Sequence, residues 1–246
     1  MYNFLRNTYK RFRFYLKINW YRTLYFNFKM FPFSIAKKLP VYVYERVKFS
    51  NLSGEIVIDA PVKRGMIGIG QRFERMTRSK NTSEIHLLGK WVFRGHAYFG
   101  KDCHIFIGKD AYCEFGDMAT LGSDVKLICT HKITLGAWTG IGYESQLVDS
   151  TLHPFKNTET GALYPLKSPI ELGACNAVSN RVSFMPGTKT PDNIVVASNS
   201  LCNKDYTSWG SEVLIGGIPA QLIKTNFARD WENEKELLKK YKIVKW

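Results

Sequence analysis

One set of side chains recurs every six residues between Ile170 and Asp205. Its members are mostly apolar: Leu172, Val178, Phe184, Thr190, Val196 and Cys202. An α-helix repeats every 3.6 residues or so and a strand every two, so neither explains this spacing. A period of six is typical of a parallel β-helix, in which each hexad forms a short strand plus a turn and three hexads complete a coil. The sequence therefore predicts a mainly β chain whose stacked coils bury a column of apolar side chains.

The same period extends toward the N-terminus, although less regularly. Apolar residues six positions apart form three runs: Leu87, Phe93, Phe99, Ile105; then Phe115, Leu121, Leu127, Ile133; then Leu135, Ile141, Leu147. Two-residue slips near positions 106, 114 and 134 separate the hexads and predict bulges or altered turns. The polar segment 71–84 predicts a surface loop.

These patterns divide the chain into three segments. Residues 1–50 are predicted to be a basic, aromatic extension that consists of a helix and a short β-rich connector over 39–50. Residues 51–225 are predicted to form the β-helix. Residues 226–246 are predicted to form a C-terminal helix that packs on the core, because several apolar residues recur at helical spacing: Trp231, Leu237, Leu238 and Tyr241.

One long interruption breaks the repeat between Leu147 and Leu172. The interrupting segment contains several prolines and a histidine, and we read it as a loop insert over 148–169. Insertions in repeat proteins map to loops on one face, which is often the binding face. The insert is therefore where we expect the chemistry.

The positive charge is concentrated at the N-terminus. Residues 1–48 hold eleven Lys and Arg and one acid, Glu45, in a chain of net charge +14. Residues at helical spacing predict a helix that Pro32 ends or kinks: Leu5, Tyr9, Phe12, Leu16, Trp20, Leu24 and Phe28. The segment 1–38 fits a helix lying on an anionic bilayer, with rings at headgroup depth and cations near phosphates. A helix that caps the end of the β-helix is the alternative; a nucleic-acid partner has no other support in the chain.

Composition narrows the cellular setting and the chemistry. The five cysteines include no CxxC pair and indicate reduced thiols in a cytosolic protein, so we expect a cytoplasmic location, at the inner membrane face if residues 1–38 bind lipid. No run reaches the roughly 18 apolar residues of a membrane span, and the N-terminus lacks the apolar core of a signal peptide. The histidines lack a close pair at metal-ligand spacing, so no metal is expected.

Several short motifs follow one another in a recognisable order. They are Asp149-Ser150-Thr151-Leu152-His153, the hexads from Leu172, Ala197-Ser198-Asn199, the segment 200–205 and Gly217-Ile218-Pro219-Ala220. Over about residues 85–225 this order resembles the hexapeptide-repeat acyltransferases, in particular the maltose/galactoside acetyltransferase branch and its relatives that O-acetylate bacterial polysaccharides. The chain departs from that pattern at Thr151, at Cys175-Asn176-Ala177 and at Thr190.

The resemblance implies a fold and an activity. The fold is a left-handed β-helix, and the activity is transfer of an acetyl group from acetyl-CoA to a sugar hydroxyl in capsular or other surface polysaccharide biosynthesis. The resemblance also implies a homotrimer with sites between subunits, and direct transfer without a covalent acyl-enzyme. An amino sugar, a small metabolite or a longer acyl group remains open, as does a non-catalytic, structural β-helix.

The resemblance also assigns roles to residues. His153 is the predicted general base, because a sugar hydroxyl is a poor nucleophile until its proton is removed. Asp149 or the Ser150 hydroxyl would orient the imidazole, although Asp149 also suits a plain turn. The predicted cofactor-binding residues are Ala197, Ser198, Lys204 and Lys189, the two lysines having a solvated surface role as the alternative. Within the insert, Tyr164 and Lys167 are candidate acceptor contacts.

Overall fold

The computed structural model describes residues 15–72 and 81–238. The predicted helical positions Leu5, Tyr9 and Phe12, most of the predicted loop 71–84, and Tyr241 lie outside the described residues, as does the side chain of Leu238. Within the described ranges, no helix is both long and apolar enough to cross a lipid bilayer.

The described chain is mostly short strands, with three α-helices and one 3₁₀ turn at Thr207–Trp209. The helices are α1 (Trp20–Met30), α2 (Phe33–Ala36) and α3 (Trp231–Leu238). The strands are β1 (Val41–Val43), β2 (Val47–Leu52), β3 (Glu55–Ile58), β4 (Ile67–Gln71), β5 (Ser83–Leu87), β6 (Lys90–Phe93), β7 (Ala97–Gly100), β8 (His104–Ile107), β9 (Tyr112–Phe115), β10 (Ala119–Leu121), β11 (Lys126–Cys129), β12 (Lys132–Leu135), β13 (Gly140–Ile141), β14 (Gln146–Val148), β15 (Ile170–Leu172), β16 (Ala177–Val178), β17 (Ser183–Phe184), β18 (Lys189–Thr190), β19 (Val195–Val196), β20 (Leu201–Cys202), β21 (Val213–Gly217) and β22 (Ala220–Thr225).

The strands form three sheets that the chain visits in rotation. The nine-stranded sheet has the order β1-β4-β7-β10-β13-β16-β19-β21-β22, the seven-stranded sheet β2-β5-β8-β11-β14-β17-β20, and the six-stranded sheet β18-β15-β12-β9-β6-β3. Successive coils pair in parallel, and the final pair, β21 with β22, is antiparallel. This three-sided coil is the parallel β-helix that the six-residue period predicted, with the left-handed coiling that the resemblance implied.

The predicted hexad register is confirmed in the last coils. Leu172 pairs with Thr190, Val178 with Val196, and Phe184 with Cys202, each eighteen residues apart. All six side chains are buried. The polar Thr190 is accommodated because its hydroxyl accepts a hydrogen bond from the buried amide of Asn176 at 2.6 Å. A buried polar group with a partner costs little, so this departure from an aliphatic residue fits the core.

The phase slips near 106, 114 and 134 have a different cause from the one predicted. Strands β8, β9 and β12 are four residues long and place two side chains inward instead of one, as Ile105 and Ile107 do in β8. The pairings of β8, β9 and β12 run without a register shift. The longer strands lengthen the coil, so Ile105 pairs with Leu127 twenty-two residues away. The slips are therefore longer strands rather than bulges.

The coil begins earlier than the sequence indicated. Strands β1 and β2 lie in the segment interpreted as a connector over 39–50, yet they pair in parallel with β4 and β5. The β-helix therefore starts at Val41 rather than at residue 51. The sequence did not indicate this start, because β2 is a long strand whose interior residues are mostly polar.

Helix α1 covers the open edge of the first coil. The buried Asn27 side chain donates to the Val41 carbonyl at 2.7 Å and accepts from the Val41 N–H at 3.1 Å, and the Thr23 hydroxyl accepts from the Val43 N–H at 3.0 Å. These bonds replace the strand that β1 lacks on its outer side. The end-cap interpretation of this segment is therefore correct for the inner face of α1.

The C-terminal helix also packs on the coil. Trp231, the first residue of α3, is buried and its indole N–H donates to the Cys175 carbonyl at 3.0 Å. The predicted helix at 226–246 thus begins at Trp231, within the described residues, and its attachment is to a corner of the coil.

Replacing Asn27 by Ala is expected to destabilise the protein by roughly 2–4 kcal/mol, because the N–H and the carbonyl of Val41 would both lose their partner in a buried setting. Urea unfolding followed by circular dichroism measures the change. The control variant Asn203→Ala, at an exposed corner, is expected to change the free energy of unfolding by less than about 0.5 kcal/mol. Equal stability of the two variants would contradict the proposed capping role.

Candidate active site

The insert over 148–169 leaves the coil between β14 of the seven-stranded sheet and β15 of the six-stranded sheet. We call this corner of the prism the seven–six edge. The insert folds back on itself through antiparallel bridges between Ser150 and Lys167 and between Lys156 and Leu163. At its tip the Asn157 side chain accepts from the N–H groups of Glu159 and Thr160, which closes an Asx turn. The insert is therefore a short, ordered hairpin.

The base of the hairpin is fixed by Asp149, which is fully buried. One carboxylate oxygen accepts from the N–H and hydroxyl of Thr130 at 2.8 and 2.9 Å, and the other accepts from the N–H of His131 at 2.8 Å. Hydrogen bonds to a carboxylate are among the stronger ones in proteins. The Asp149 carboxylate therefore ties the base of the hairpin to the preceding coil by three hydrogen bonds.

The next residues turn the chain outward to His153. The Ser150 hydroxyl donates to the Leu166 carbonyl at 3.1 Å and accepts from the Leu152 N–H at 3.0 Å, and Leu152 adopts a positive φ of 60°. Non-glycine residues adopt this conformation infrequently, and here it presents the next residue to solvent. The His153 side chain is exposed, and no hydrogen bond to its ring is found within the described residues.

The two predicted orienting partners do not contact His153. Both oxygens of the Asp149 carboxylate are engaged by Thr130 and His131, and the Ser150 hydroxyl is engaged by the hairpin backbone. Asp149 is therefore a structural anchor of the hairpin, which corresponds to the plain turn role that the sequence left open. The sequence motif placed the carboxylate near the histidine but did not reveal its direction.

The surface around His153 is apolar for an exposed loop. Several large side chains of the hairpin are solvent-exposed: Leu152, Phe155, Leu163, Tyr164 and Leu166. An exposed apolar cluster of this kind marks a contact surface for a ligand or another chain. Of the two candidate acceptor contacts, Tyr164 lies in this cluster, whereas the Lys167 ammonium donates to the Thr130 carbonyl at 3.0 Å at the hairpin base.

Lys189 lies in an ion-pair ladder on the outer face of the six-stranded sheet. Its ammonium is 3.0 Å from one Glu171 oxygen, and Lys132 is 2.5 Å from the other. The hydrogen bonds from Lys132 and Lys189 lower the pKa of Glu171, and the bond to Glu171 raises the pKa of Lys189. Lys189 is therefore paired within the chain, although it shares the single carboxylate of Glu171 with Lys132.

Lys204 follows β20 at the seven–six edge, two coils beyond the hairpin. Its ammonium lies 4.8 Å from the ring centre of Trp209 and 5.6 Å from that of Tyr206. The nearby Asp205 carboxylate accepts from the N–H and hydroxyl of Thr207. Stacking on aromatic rings positions the Lys204 cation without neutralising it.

The other two predicted cofactor residues lie at a different corner. Ala197 and Ser198 connect β19 of the nine-stranded sheet to β20 of the seven-stranded sheet, which we call the nine–seven edge. The Ser198 hydroxyl donates to the side-chain oxygen of Asn180 at 2.7 Å. On one chain, the four predicted cofactor residues are therefore divided between the two edges that border the seven-stranded sheet.

A cleft at the nine–seven edge was not found from the sequence. Its volume is about 360 Å³, and its lining includes Thr120, Gly140, Tyr143, Asn180 and Arg229. The cleft is deep where the outward residues of β10 and β13 are small. One of its walls is Arg229, whose guanidinium pairs with Glu234. Two aliphatic–glycine pairs in the sequence, Leu121-Gly122 and Ile141-Gly142, line this cleft, but Arg229 belongs to a distant C-terminal segment.

Residues 15–72 and 81–238 contain no group of three or more His, Cys, Asp or Glu side chains arranged to hold a metal ion. No protein-family model and no curated protein matches the sequence.

Three solved structures illustrate what the fold is similar to. The polySia-specific acetyltransferase NeuO is 18% identical over 81% of this chain and 89% of its own, with a TM-score of 0.46. The polysialic acid O-acetyltransferase OatWY is 17% identical over 75% and 91%, with a TM-score of 0.38. A hexapeptide-repeat-containing acetyltransferase from Vibrio cholerae O1 biovar eltor, complexed with acetyl coenzyme A, is 21% identical over 48% and 61%, with a TM-score of 0.39. Similarity at this level does not establish an activity for this chain.

Replacing Asp149 by Asn is expected to loosen the hairpin, because the amide keeps one acceptor oxygen but sets an NH₂ group against an N–H donor. We expect a loss of about 2 kcal/mol in the free energy of unfolding and faster proteolytic cleavage within 150–168. Urea unfolding and limited proteolysis measure the two effects.

Asp192→Asn is the matched control for this variant. Asp192 is exposed and accepts one bond, from the Ala174 N–H, which an amide oxygen also accepts. We expect this control to change neither measurement appreciably. Equal protease resistance of the Asp149→Asn variant and the unmodified protein would show that the hairpin is held by other contacts.

Proposed function

We propose that this protein transfers an acetyl group from acetyl-CoA to a sugar hydroxyl, with His153 as the general base. The observation that carries the proposal is the exposed imidazole on a hairpin that Asp149 anchors to a rigid coil. The same residues form the Asp-x-x-x-His motif in the order of motifs that resembles the acyltransferases. A purely structural β-helix does not require a buried carboxylate that fixes an exposed loop.

The proposed reaction is a direct transfer. A ring nitrogen of His153 takes the proton of the acceptor hydroxyl as its oxygen attacks the thioester carbonyl. The new C–O ester bond forms, the C–S bond breaks, and the leaving thiolate of CoA takes the proton back from the imidazolium. General base catalysis by a positioned histidine accelerates such a step about 10²–10⁴-fold.

Four of the five described cysteines are buried and are therefore unsuited to forming an acyl-enzyme, whereas Cys175 is half-buried. Burial raises the pKa of the Cys202 thiol to about 12, and burial also raises the pKa of Cys113. The thiolate is the nucleophilic form, so thiols held protonated in a core are unreactive. Cys103 and Cys129 are buried as well.

The cofactor is proposed to lie between two copies of the chain. Ala197 and Ser198 have small side chains that allow an extended pantetheine arm to approach the backbone of the nine–seven edge. Lys204, on the seven–six edge near the hairpin, offers to a phosphate a cation that stacks on aromatic rings. A site shared by neighbouring subunits of a homotrimer is what the resemblance implies.

The acceptor is proposed to be a sugar of a surface polysaccharide or its precursor. The apolar cluster on the hairpin, with Tyr164 among its members, suits stacking against the face of a sugar ring. The acceptor and the acyl group are identified together by incubating the protein with labelled acetyl-CoA and the host's glycan precursors, followed by mass spectrometry of the labelled product. An N-linked acetyl group in the product would favour an amino-sugar acceptor, and no labelled product would contradict the transferase proposal.

Replacing His153 by Ala is expected to lower kcat by about 10²–10⁴-fold and to leave the KM for acetyl-CoA nearly unchanged, because the imidazole acts on the acceptor proton. Steady-state kinetics with a thiol-detecting assay measure both constants. His104→Ala, which removes an exposed ring on β8, is the control and is expected to retain the full kcat. Full activity of His153→Ala would rule out its role as the base.

Replacing Lys204 by Ala is expected to raise the KM for acetyl-CoA about tenfold, since one charged hydrogen bond to phosphate contributes about 1.5 kcal/mol. Lys189→Ala is expected to have a smaller effect, because that ammonium is already paired with Glu171. Lys109→Ala, an exposed lysine on an earlier coil, is the control. An unchanged KM for Lys204→Ala would place the phosphates elsewhere.

A further inference from the structure

Helix α1 has a second face, most of which the coil does not cover. Its inner face buries Thr23, Phe26 and Asn27 against the first coil. Its outer face carries large side chains that remain in solvent, and the adjoining α2 extends this surface: Tyr21 81%, Leu24 45%, Tyr25 49%, Phe28 49% and Phe33 70% exposed. We call these five residues the outer aromatic face. Capping the coil explains the inner face of α1. Among the described residues, the outer face meets the coil where Tyr25 stacks on Phe49, and most of its apolar surface stays exposed.

The charge around the outer aromatic face has a single sign. The sequence from Tyr15 to Tyr44 contains no Asp or Glu, while five cations lie within it: Lys17, Arg22, Lys29, Lys37 and Lys38. The Lys37 ammonium lies 6.0 Å from the ring centre of Phe33. Rings and cations are therefore intermixed on one surface rather than separated.

We propose that the outer aromatic face docks on an anionic lipid bilayer. Aromatic rings are favourable at headgroup depth, and each Lys or Arg near an anionic surface contributes about as much as a weak hydrogen bond. The eleven-residue α1 lies on the surface and does not cross it. A second copy of this chain is a poorer occupant, because a self-complementary contact would bring like-charged lysines together.

This docking fixes the height of the candidate site above the bilayer. Strand β1, which α1 covers, is four strand steps from β13 in the nine-stranded sheet, and the hairpin leaves from the same coil as β13. At about 4.8 Å per step, the hairpin base lies on the order of 20 Å from the helix-covered end. If the proposed function holds, this spacing suits a glycan chain attached to the membrane.

The test is sedimentation of the full-length protein with vesicles of phosphatidylcholine alone or mixed with phosphatidylglycerol. We expect binding to the mixed vesicles only, weakening as salt increases.

Lys29→Gln/Lys37→Gln/Lys38→Gln is expected to lower the partition coefficient about a hundredfold. Tyr21→Ser/Phe28→Ser is expected to lower it at least about tenfold. This assay needs no activity, so its failure is distinguishable from failure of the acetyltransferase proposal.

Matched controls place equivalent changes elsewhere. Lys109→Gln/Lys126→Gln/Lys224→Gln removes the same charge from exposed positions along the coil, and Ile223→Ser removes an exposed apolar side chain of β22. We expect both controls to bind the mixed vesicles nearly as well as the unmodified protein.

Two results would overturn the proposal. One is equal loss of binding in the control and test variants, which would mean that overall charge suffices. The other is a change of oligomeric state, measured by light scattering, on Tyr21→Ser/Phe28→Ser, which would assign the face to a second copy. Circular dichroism of each variant establishes that it is folded.

Discussion

Every part of this molecule depends on the parallel pairing of one coil with the next. Pairing at intervals of about one coil stacks the inward side chains into a single column, so that Leu172 lies on Thr190 and Phe184 on Cys202. Such a stack has two open ends, and the unpaired backbone groups of an uncovered edge strand can pair with another chain. At one end the side chains of Thr23 and Asn27 take the place of a strand. At the other, β22 turns back antiparallel on β21.

A regular scaffold makes a departure from regularity informative. The insert does not interrupt the stacking of the coils, because β14 and β15 on either side keep their partner strands in the adjacent coils. It exposes a histidine and an apolar cluster at a place fixed by Asp149. Rigidity at the base and exposure at the tip are what a site on a repeat scaffold requires, since catalytic groups act only when their position is held.

Features set by spacing along the chain could be predicted from the sequence, whereas contacts between residues far apart in the sequence could not. The inward column and the insert were visible because each is a matter of spacing along the chain. The start of the coil at Val41 was missed because β2 is a six-residue strand in which only the two end residues, Val47 and Leu52, are buried, so it shows no hexad. The direction of the Asp149 carboxylate was also missed, since its partners Thr130 and His131 belong to the preceding coil, about twenty residues away. The same holds for the cleft wall formed by Arg229.

The sequence by itself determined the β-helix, the register of its core and the position of the interruption that holds His153. Periodicity indicates these because successive coils bury their inward side chains in the same way, with paired residues eighteen positions apart in the last coils and twenty-two apart in an earlier one. Only the tertiary structure decided that the Asp149 carboxylate bonds to Thr130 and His131, that Lys189 is paired while Lys204 is stacked, and that α1 caps the coil with one face and exposes the other. Each of these depends on which side chains meet between coils, and a one-dimensional pattern does not contain that information.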